Sequence, residues 1–282
     1  MRLFSMAVGT LFLLATGQVG GNPTCAACHG ELVADFHGTP HGARTEDDEA
    51  SGCRSCHGDP ATHLAAPAEP GSLLAFDDEP SATINAACGS CHADAHTARA
   101  NPHSQAGLAC TDCHSIHPSS AAEIALPAEF DRVDAASATC FECHQETFSQ
   151  FSFNERHRLQ EGSVSCTSCH DPHAPASSGH LGAFGQRVCA ECHADVDGPF
   201  VFEHDASRVE GCGACHEPHG SPNRHMLTHQ QVGELCYSCH AIVPQFHLGF
   251  SPAGPPRFDE GTVCTNCHAT IHGSNLDPAF LR

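Results

Sequence analysis

The sequence predicts an elongated chain of few short α-helices joined by long irregular connections, with little or no β-structure and no aliphatic core of the usual kind. Three observations lead there. Leu, Ile, Val and Phe together supply 50 of 282 residues, short of the ~20% below which a strongly charged chain ordinarily stays unfolded. The formal charge is -21, from 33 acidic and 12 basic residues, and that repulsion deepens the deficit. Finally, all 20 cysteines fall in ten C-x-x-C-H pentapeptides, a spacing too uniform for a disulfide framework.

The pentapeptides are CAACH (25 to 29), CRSCH (53 to 57), CGSCH (88 to 92), CTDCH (110 to 114), CFECH (140 to 144), CTSCH (166 to 170), CAECH (189 to 193), CGACH (212 to 216), CYSCH (236 to 240) and CTNCH (264 to 268). Two thiols three residues apart can form thioethers to the two vinyl groups of one porphyrin, and the adjoining imidazole reaches its iron from the same side. This is the c-type haem attachment signature. Zinc would not require a histidine after every cysteine pair. The attaching residues are therefore Cys25, Cys28, Cys53, Cys56, Cys88, Cys91, Cys110, Cys113, Cys140, Cys143, Cys166, Cys169, Cys189, Cys192, Cys212, Cys215, Cys236, Cys239, Cys264 and Cys267. The proximal ligands are His29, His57, His92, His114, His144, His170, His193, His216, His240 and His268. The fold class is a multihaem cytochrome c, with about 26 mature residues for each of ten haems. The porphyrins take the place of a core, and the haem-free chain is expected not to fold.

Met1 and Arg2 precede an apolar run from Leu3 to Ala15 that ends in small residues, which reads as a secretory signal over residues 1 to 21. The run is too short for a membrane span, which takes ~20 apolar residues, and Cys25 is committed to a haem and cannot carry a lipid. All twelve basic residues are arginine. The acidic surface, with haem propionates added, argues against nucleic acid and anionic lipid and suits a cationic or small-molecule redox partner. Linkers fall at the acidic 46 to 49, the Ala/Pro-rich 65 to 81, the Ala-rich 119 to 139 and the Pro/Gly-rich 249 to 261.

Ten of the 25 histidines lie in motifs, leaving fifteen for ten further axial positions, and Met226 is the one methionine beyond the signal. His/His ligation is expected almost throughout, which favours low reduction potentials. The motifs pair into five two-haem units at about 25 to 63, 88 to 117, 140 to 173, 189 to 219 and 236 to 272. A histidine follows the first motif of each pair at a distance: His41, His103, His157, His204 and His247. One follows the second motif closely: His63, His117, His173, His219 and His272. A residue three positions past the proximal histidine lies on the same side of a helical turn, so it cannot straddle that iron and must serve another haem. His37, His96, His180, His225 and His229 are left over; His37 competes with His41, His96 with His103 and His229 with His247, while His180 and His225 read as surface residues. The third and fourth units share F-x-F ahead of the distal histidine, at Phe151/Phe153 and Phe200/Phe202, with Phe36 at the matching place in the first; these rings suit a porphyrin face, or ordinary packing.

The run from CFECHQETFSQF through SVSCTSCHDPH, GPFVFEH, CGACHEPHGSPNRHML and LCYSCH to CTNCHATIHGSN resembles the decahaem periplasmic cytochromes of the MtrA/DmsE family. The likeness covers nearly the whole mature chain and is strongest from residue 140 onward; the ending SNLDP departs from the family's pattern. It implies a wire of bis-histidine haems threaded into an outer-membrane β-barrel porin (MtrB-like). Such a wire links a periplasmic or quinol-linked cytochrome donor to an extracellular multihaem cytochrome or reductase, in either direction. A freely diffusing periplasmic shuttle is the alternative within electron transfer. A multihaem reductase is disfavoured: no lysine can ligate a haem, and the sole tyrosine, Tyr237, sits inside CYSCH. A filament subunit that borrows ligands from its neighbours is weakened by the ten distal histidines within one chain.

Overall fold

In the computed structural model the chain is described over residues 25–44, 49–67, 69–93, 101–117, 128–174, 186–240 and 262–281. The signal segment, residues 119–127 of the Ala-rich linker, the whole 249 to 261 linker, His96, His180 and His247 lie outside the described residues. Eleven α-helices are described, running from α1 (Ala26–His37), α2 (Glu49–His57) and α3 (Ala61–Ala65) through α4 (Ser81–His92), α5 (Pro102–Gln105), α6 (Ala135–Phe141) and α7 (Gln145–Gln150) to α8 (Gln186–Ala190), α9 (Ala194–Asp197), α10 (Asp205–Val209) and α11 (Val232–Tyr237). The longest span twelve residues, and among the described residues no helix is long and apolar enough to cross a membrane. The fold class of short helices, loops and minimal β-structure is as the composition dictates.

Two compact units divide the chain: residues 1–80 with 114–121, and residues 81–113 with 122–282. The first carries α1 to α3, with Val33 and Phe36 buried on one face of α1. The second holds a small apolar cluster of Phe130, Phe141, Phe151 and Leu159, flanked by Val133, Phe148 and Val164. Its rings stack closely, with Phe148 at 4.2 Å from Phe130 and 4.4 Å from Phe141 between centroids. Among the described residues nine apolar side chains are buried, far too few to offset the ordering cost of so long a chain, so the fold depends on what its motifs bind.

The sheet content is two minimal antiparallel pairs. β1 (Glu155–Arg156) pairs with β3 (Gly220–Ser221), Glu155 opposite Ser221 and Arg156 opposite Gly220. β2 (Phe202–Glu203) pairs with β4 (Gly273–Ser274), Phe202 opposite Ser274 and Glu203 opposite Gly273. Each pair joins the residues just before a distant histidine (His157, His204) to the residues just after a close one (His219, His272). Glycine is required at these crossings because of close approach: a Cβ on Gly220 would lie 2.3 Å from the Gln150 carbonyl oxygen, and one on Gly273 would lie 2.1 Å from the Phe200 ring.

Candidate functional site: a file of paired histidines

Each motif is one tight turn. The histidine N–H donates to the carbonyl of the first cysteine at 2.9 Å in His29 and His193, 3.0 Å in His144 and 2.8 Å in His240; the same bond closes the motifs of His170, His216 and His268. The turn ends a helix in α4, α6, α8 and α11, and in the motifs at Cys110, Cys166, Cys212 and Cys264 it is a single 3-10 turn. Both thiols and the imidazole consequently face one side. The first cysteine is half-buried in all ten motifs, while the second is exposed in nine.

Seven proximal histidines face a second histidine across a near-constant gap. The centroid separations are 6.1 Å for His29 and His63, 6.3 Å for His57 and His117, 6.1 Å for His144 and His103, 6.1 Å for His193 and His157, 6.0 Å for His170 and His219, 6.2 Å for His240 and His204, and 6.3 Å for His216 and His272. An imidazole nitrogen bound at about 2.0 Å puts its ring centroid about 3.1 Å from the metal, so two trans ligands stand about 6.2 Å apart. The gap is therefore the width of one six-coordinate iron. Among the described residues no three metal-ligating side chains converge, as a zinc site would require. His92, His114 and His268 are the other three proximal histidines, and His41, His173 and His247 the other three distal candidates.

The imidazoles are also oriented for the role. A histidine that binds metal through Nε2 needs an acceptor at Nδ1–H, which fixes tautomer and ring plane. His57 donates to the Leu74 carbonyl at 2.8 Å and His216 to the His225 carbonyl at 2.9 Å, while His268 donates to the Ala279 carbonyl. His103 donates to the Pro172 carbonyl at 3.4 Å and His157 to the Pro218 carbonyl. His219 takes a side-chain acceptor instead, Gln150 Oε1 at 3.0 Å. Two of these acceptors sit in strained loops: His225 and Met226 have φ of 58° and 56°, and Phe280, after Ala279, has 60°. Left-handed backbone at bulky residues is rare outside functional sites. The terminal SNLDPAF, divergent as sequence, thus supplies an acceptor carbonyl as SPNRHM does.

Three of the close histidines face the proximal histidine of a different motif. His117 faces His57 and not His114, His219 faces His170 and not His216, and His272 faces His216 and not His268. The distant histidines run forward: His103 meets His144, His157 meets His193 and His204 meets His240. Of the phenylalanines, Phe36 packs on His117 at 5.8 Å and Phe151 on His219 at 5.5 Å, while Phe200 packs on Gly273, next to His272. Phe153 is exposed. The sequence correspondence therefore marks rings that back the close histidine of the partner motif.

Attachment thiols of successive motifs come together in chain order. Cys140 and Cys166 are hydrogen-bonded, and that contact drives the Cys140 thiol up and the Cys166 thiol down to about 6. Burial, then the neighbouring Cys189, pushes Cys212 up to about 11; burial, then Cys264, pushes Cys236 up to about 12. Burial and weaker repulsion raise the others at the junctions: Cys113 feels Cys143, Cys169 feels Cys189 and Cys192, and Cys215 feels Cys239. From Cys110 to Cys267 every motif thus lies within electrostatic reach of the next. The distal rings share one electrostatic bias. Burial lowers the His117, His204, His219 and His272 pKa values, and the facing histidine lowers them further, which favours the neutral imidazole that a metal takes.

Several contributors escape a sequence reading. Gln150, Asn85 and Ser137 belong to no motif, and the carbonyls of Leu74, Pro172, Pro218, His225 and Ala279 carry no side-chain signature. His225 is exposed, in keeping with a surface reading of its ring, yet its carbonyl holds His216. The Pro in CHDPH and CHEPH is the one signal that was open to view.

A model of the doubled CXXCH motif matches residues 102–148, 157–198 and 204–243. The multiheme cytochrome MtrA of Shewanella baltica (strain OS185) is 30% identical over 273 residues, covering 90% of this chain and 79% of the relative. The doubled motifs mean covalently attached c-type haems, and so a protein that transfers electrons. A likeness that extends over nine-tenths of the sequence, on motifs whose paired histidines stand one iron apart, places the chain in the MtrA family of multihaem cytochromes.

Proposed function

We propose that the chain is an electron wire of ten bis-histidine c-type haems. In this reading it works on the periplasmic side of the outer membrane, threaded into a β-barrel porin, and carries charge between a periplasmic or quinol-linked cytochrome and an extracellular multihaem cytochrome or reductase. The observation that supports the reading is the run of attachment thiols from Cys110 onward, in which each motif lies within electrostatic reach of the next and Cys140 with Cys166, Cys189 with Cys212 and Cys236 with Cys264 are hydrogen-bonded. Porphyrins bonded to such neighbouring sulfurs would be held close together, and a chain of near neighbours passes electrons stepwise.

The residues fit the group. The ten Cys pairs would hold the porphyrins, the ten motif histidines would bind from one side, and His41, His63, His103, His117, His157, His173, His204, His219, His247 and His272 would bind from the other. When bound, a haem supplies a one-electron iron couple, which two imidazoles hold at low potential relative to Met/His ligation. The chain's own contribution is to fill both axial positions, so that no iron stays open to a substrate. The backbone acceptors at Nδ1 lock the rings in place, and the short turns keep intervening protein thin. The five two-haem units are then repeats along one conductor.

The test is isolation of the full-length protein from the outer membrane of its own cells in mild detergent. An outer-membrane barrel should copurify in fixed proportion. The complex in vesicles should pass electrons from a trapped reduced dye to an external ferric chelate. Recovery from the soluble periplasm alone, with no barrel, would replace the conduit with a diffusing shuttle.

A further inference from the structure

Outside the ligands, two polar side chains occupy one position in different units. Asn85 lies three residues before Cys88, and Ser137 three before Cys140. That spacing puts each on the helix face of the cysteine that follows. Asn85 Oδ1 accepts the backbone N–H of Cys110 at 2.8 Å and its thiol at 3.1 Å, and Asn85 Nδ2 donates to the Leu108 carbonyl at 3.0 Å. Ser137 Oγ accepts the backbone N–H of Cys166 at 3.0 Å and donates to Asp134 Oδ2 at 2.9 Å. Asp134 is itself the N-cap of α6, accepting the Ser137 N–H at 2.7 Å. Ser137 is fully buried.

In both places the side chain ahead of one haem motif grips the first cysteine of the next. The gripped residue sits at the start of a 3-10 turn, where backbone N–H groups lack intrahelical partners. Two different residue types, Asn and Ser, reach the same N–H from the same position, so the shared feature is the acceptor atom.

We propose that Asn85 and Ser137 are positioning residues that set the spacing within haem pairs: Asn85 for the haems on Cys88/Cys91 and Cys110/Cys113, and Ser137 for those on Cys140/Cys143 and Cys166/Cys169. The proposal rests on the haem-wire reading and adds to it where the closeness of each pair comes from. Removing the acceptor leaves a half-buried N–H unpaired, and the 3-10 turn shifts to find water. The neighbouring porphyrin shifts with it.

The experiment compares Ser137→Ala and Asn85→Ala with Ser137→Thr and Asn85→Asp, which keep the acceptor, all as full-length haem-loaded protein. Intact mass counts the haems. Electron paramagnetic resonance reads both spin state and magnetic coupling between neighbouring ferric haems, and film voltammetry reads the hopping rate. The alanine variants should keep ten haems and low-spin irons, lose coupling within one pair and conduct several-fold more slowly; Thr and Asp should restore both. Coupling and hopping unchanged in both alanine variants, or not restored by the conservative ones, overturns the clamp. Where Ser137→Ala does not mature, the Asn85 pair of variants decides. Failure of the wire reading shows separately, in the unsubstituted protein, as fewer than ten haems or an open high-spin iron.

Discussion

Replacing His219 by alanine tests the crossed pairing most sharply, because chain proximity and geometry point to different haems. His219 follows His216 by three residues, yet its ring stands 6.0 Å from His170. It is anchored by Gln150 at 3.0 Å and backed by Phe151 at 5.5 Å, so no neighbouring turn can supply a substitute without rearrangement. With ten motifs in the chain, His219→Ala should convert one iron in ten from low-spin to high-spin and make that iron bind cyanide. The location follows from two backgrounds, each lacking one haem. In Cys166→Ala/Cys169→Ala, the iron served by His219 is gone, and His219→Ala should add no high-spin signal. In Cys212→Ala/Cys215→Ala that iron is present, and His219→Ala should open one of the nine that remain. Spin quantitation by electron paramagnetic resonance separates the cases. The opposite pattern, with a new high-spin iron only when Cys166 and Cys169 are absent, would falsify the pairing and return His219 to its own motif.

Gln150→Leu removes the acceptor for His219 Nδ1–H. Lost outer hydrogen bonds cost ligands about 10- to 100-fold in affinity, so spectroelectrochemistry should show one potential rising while the rest stay. Gly220→Ala places a methyl group 2.3 Å from the Gln150 carbonyl oxygen. Overpacking of this kind costs about 1–3 kcal/mol and should lower the thermal midpoint of the loaded protein and detach β1 from β3. Acid should first release the distal histidines that burial keeps neutral. His117, His204, His219 and His272 have folded-state pKa values below the ordinary 6.5. Between that lowered value and 6.5 the unfolded chain binds more protons than the folded one. The contribution of these four is complete above pH 6.5 and is lost as pH falls through the lowered values. A pH titration of the low-spin bands that showed loss on the alkaline side instead would contradict the assignment.

The haem motifs were legible because their chemistry is local: five consecutive residues close one turn, and nothing distant is needed to recognise it. That a histidine three residues past the motif cannot stand opposite its own proximal histidine was legible too, since both lie on one side of a turn. Which iron it serves was not, because His117 and His57 are 60 residues apart in the numbering and meet only when the fold is complete. Backbone acceptors are the least visible of all. The Leu74 carbonyl that holds His57 could belong to any residue type, and the left-handed pair His225 and Met226 adopts a conformation that no glycine announces. The Phe pattern was half legible: the repeat is in the sequence, but its object, the histidine of the partner motif, is tertiary.

CGACHEPH shows why so little protein can organise so many cofactors. On the proposed ligation, Cys212, Cys215 and His216 hold one porphyrin, the Pro218 carbonyl orients His157 toward the iron of His193, and His219 reaches the iron of His170. Eight residues therefore touch three haems that are consecutive in the file. A spacer inserted anywhere in this stretch would disturb all three at once. Length in such a chain is constrained inside the junctions and free between them. That explains how irregular connections of differing length coexist with histidine pairs whose gap varies by only a few tenths of an ångström, from 6.0 to 6.3 Å.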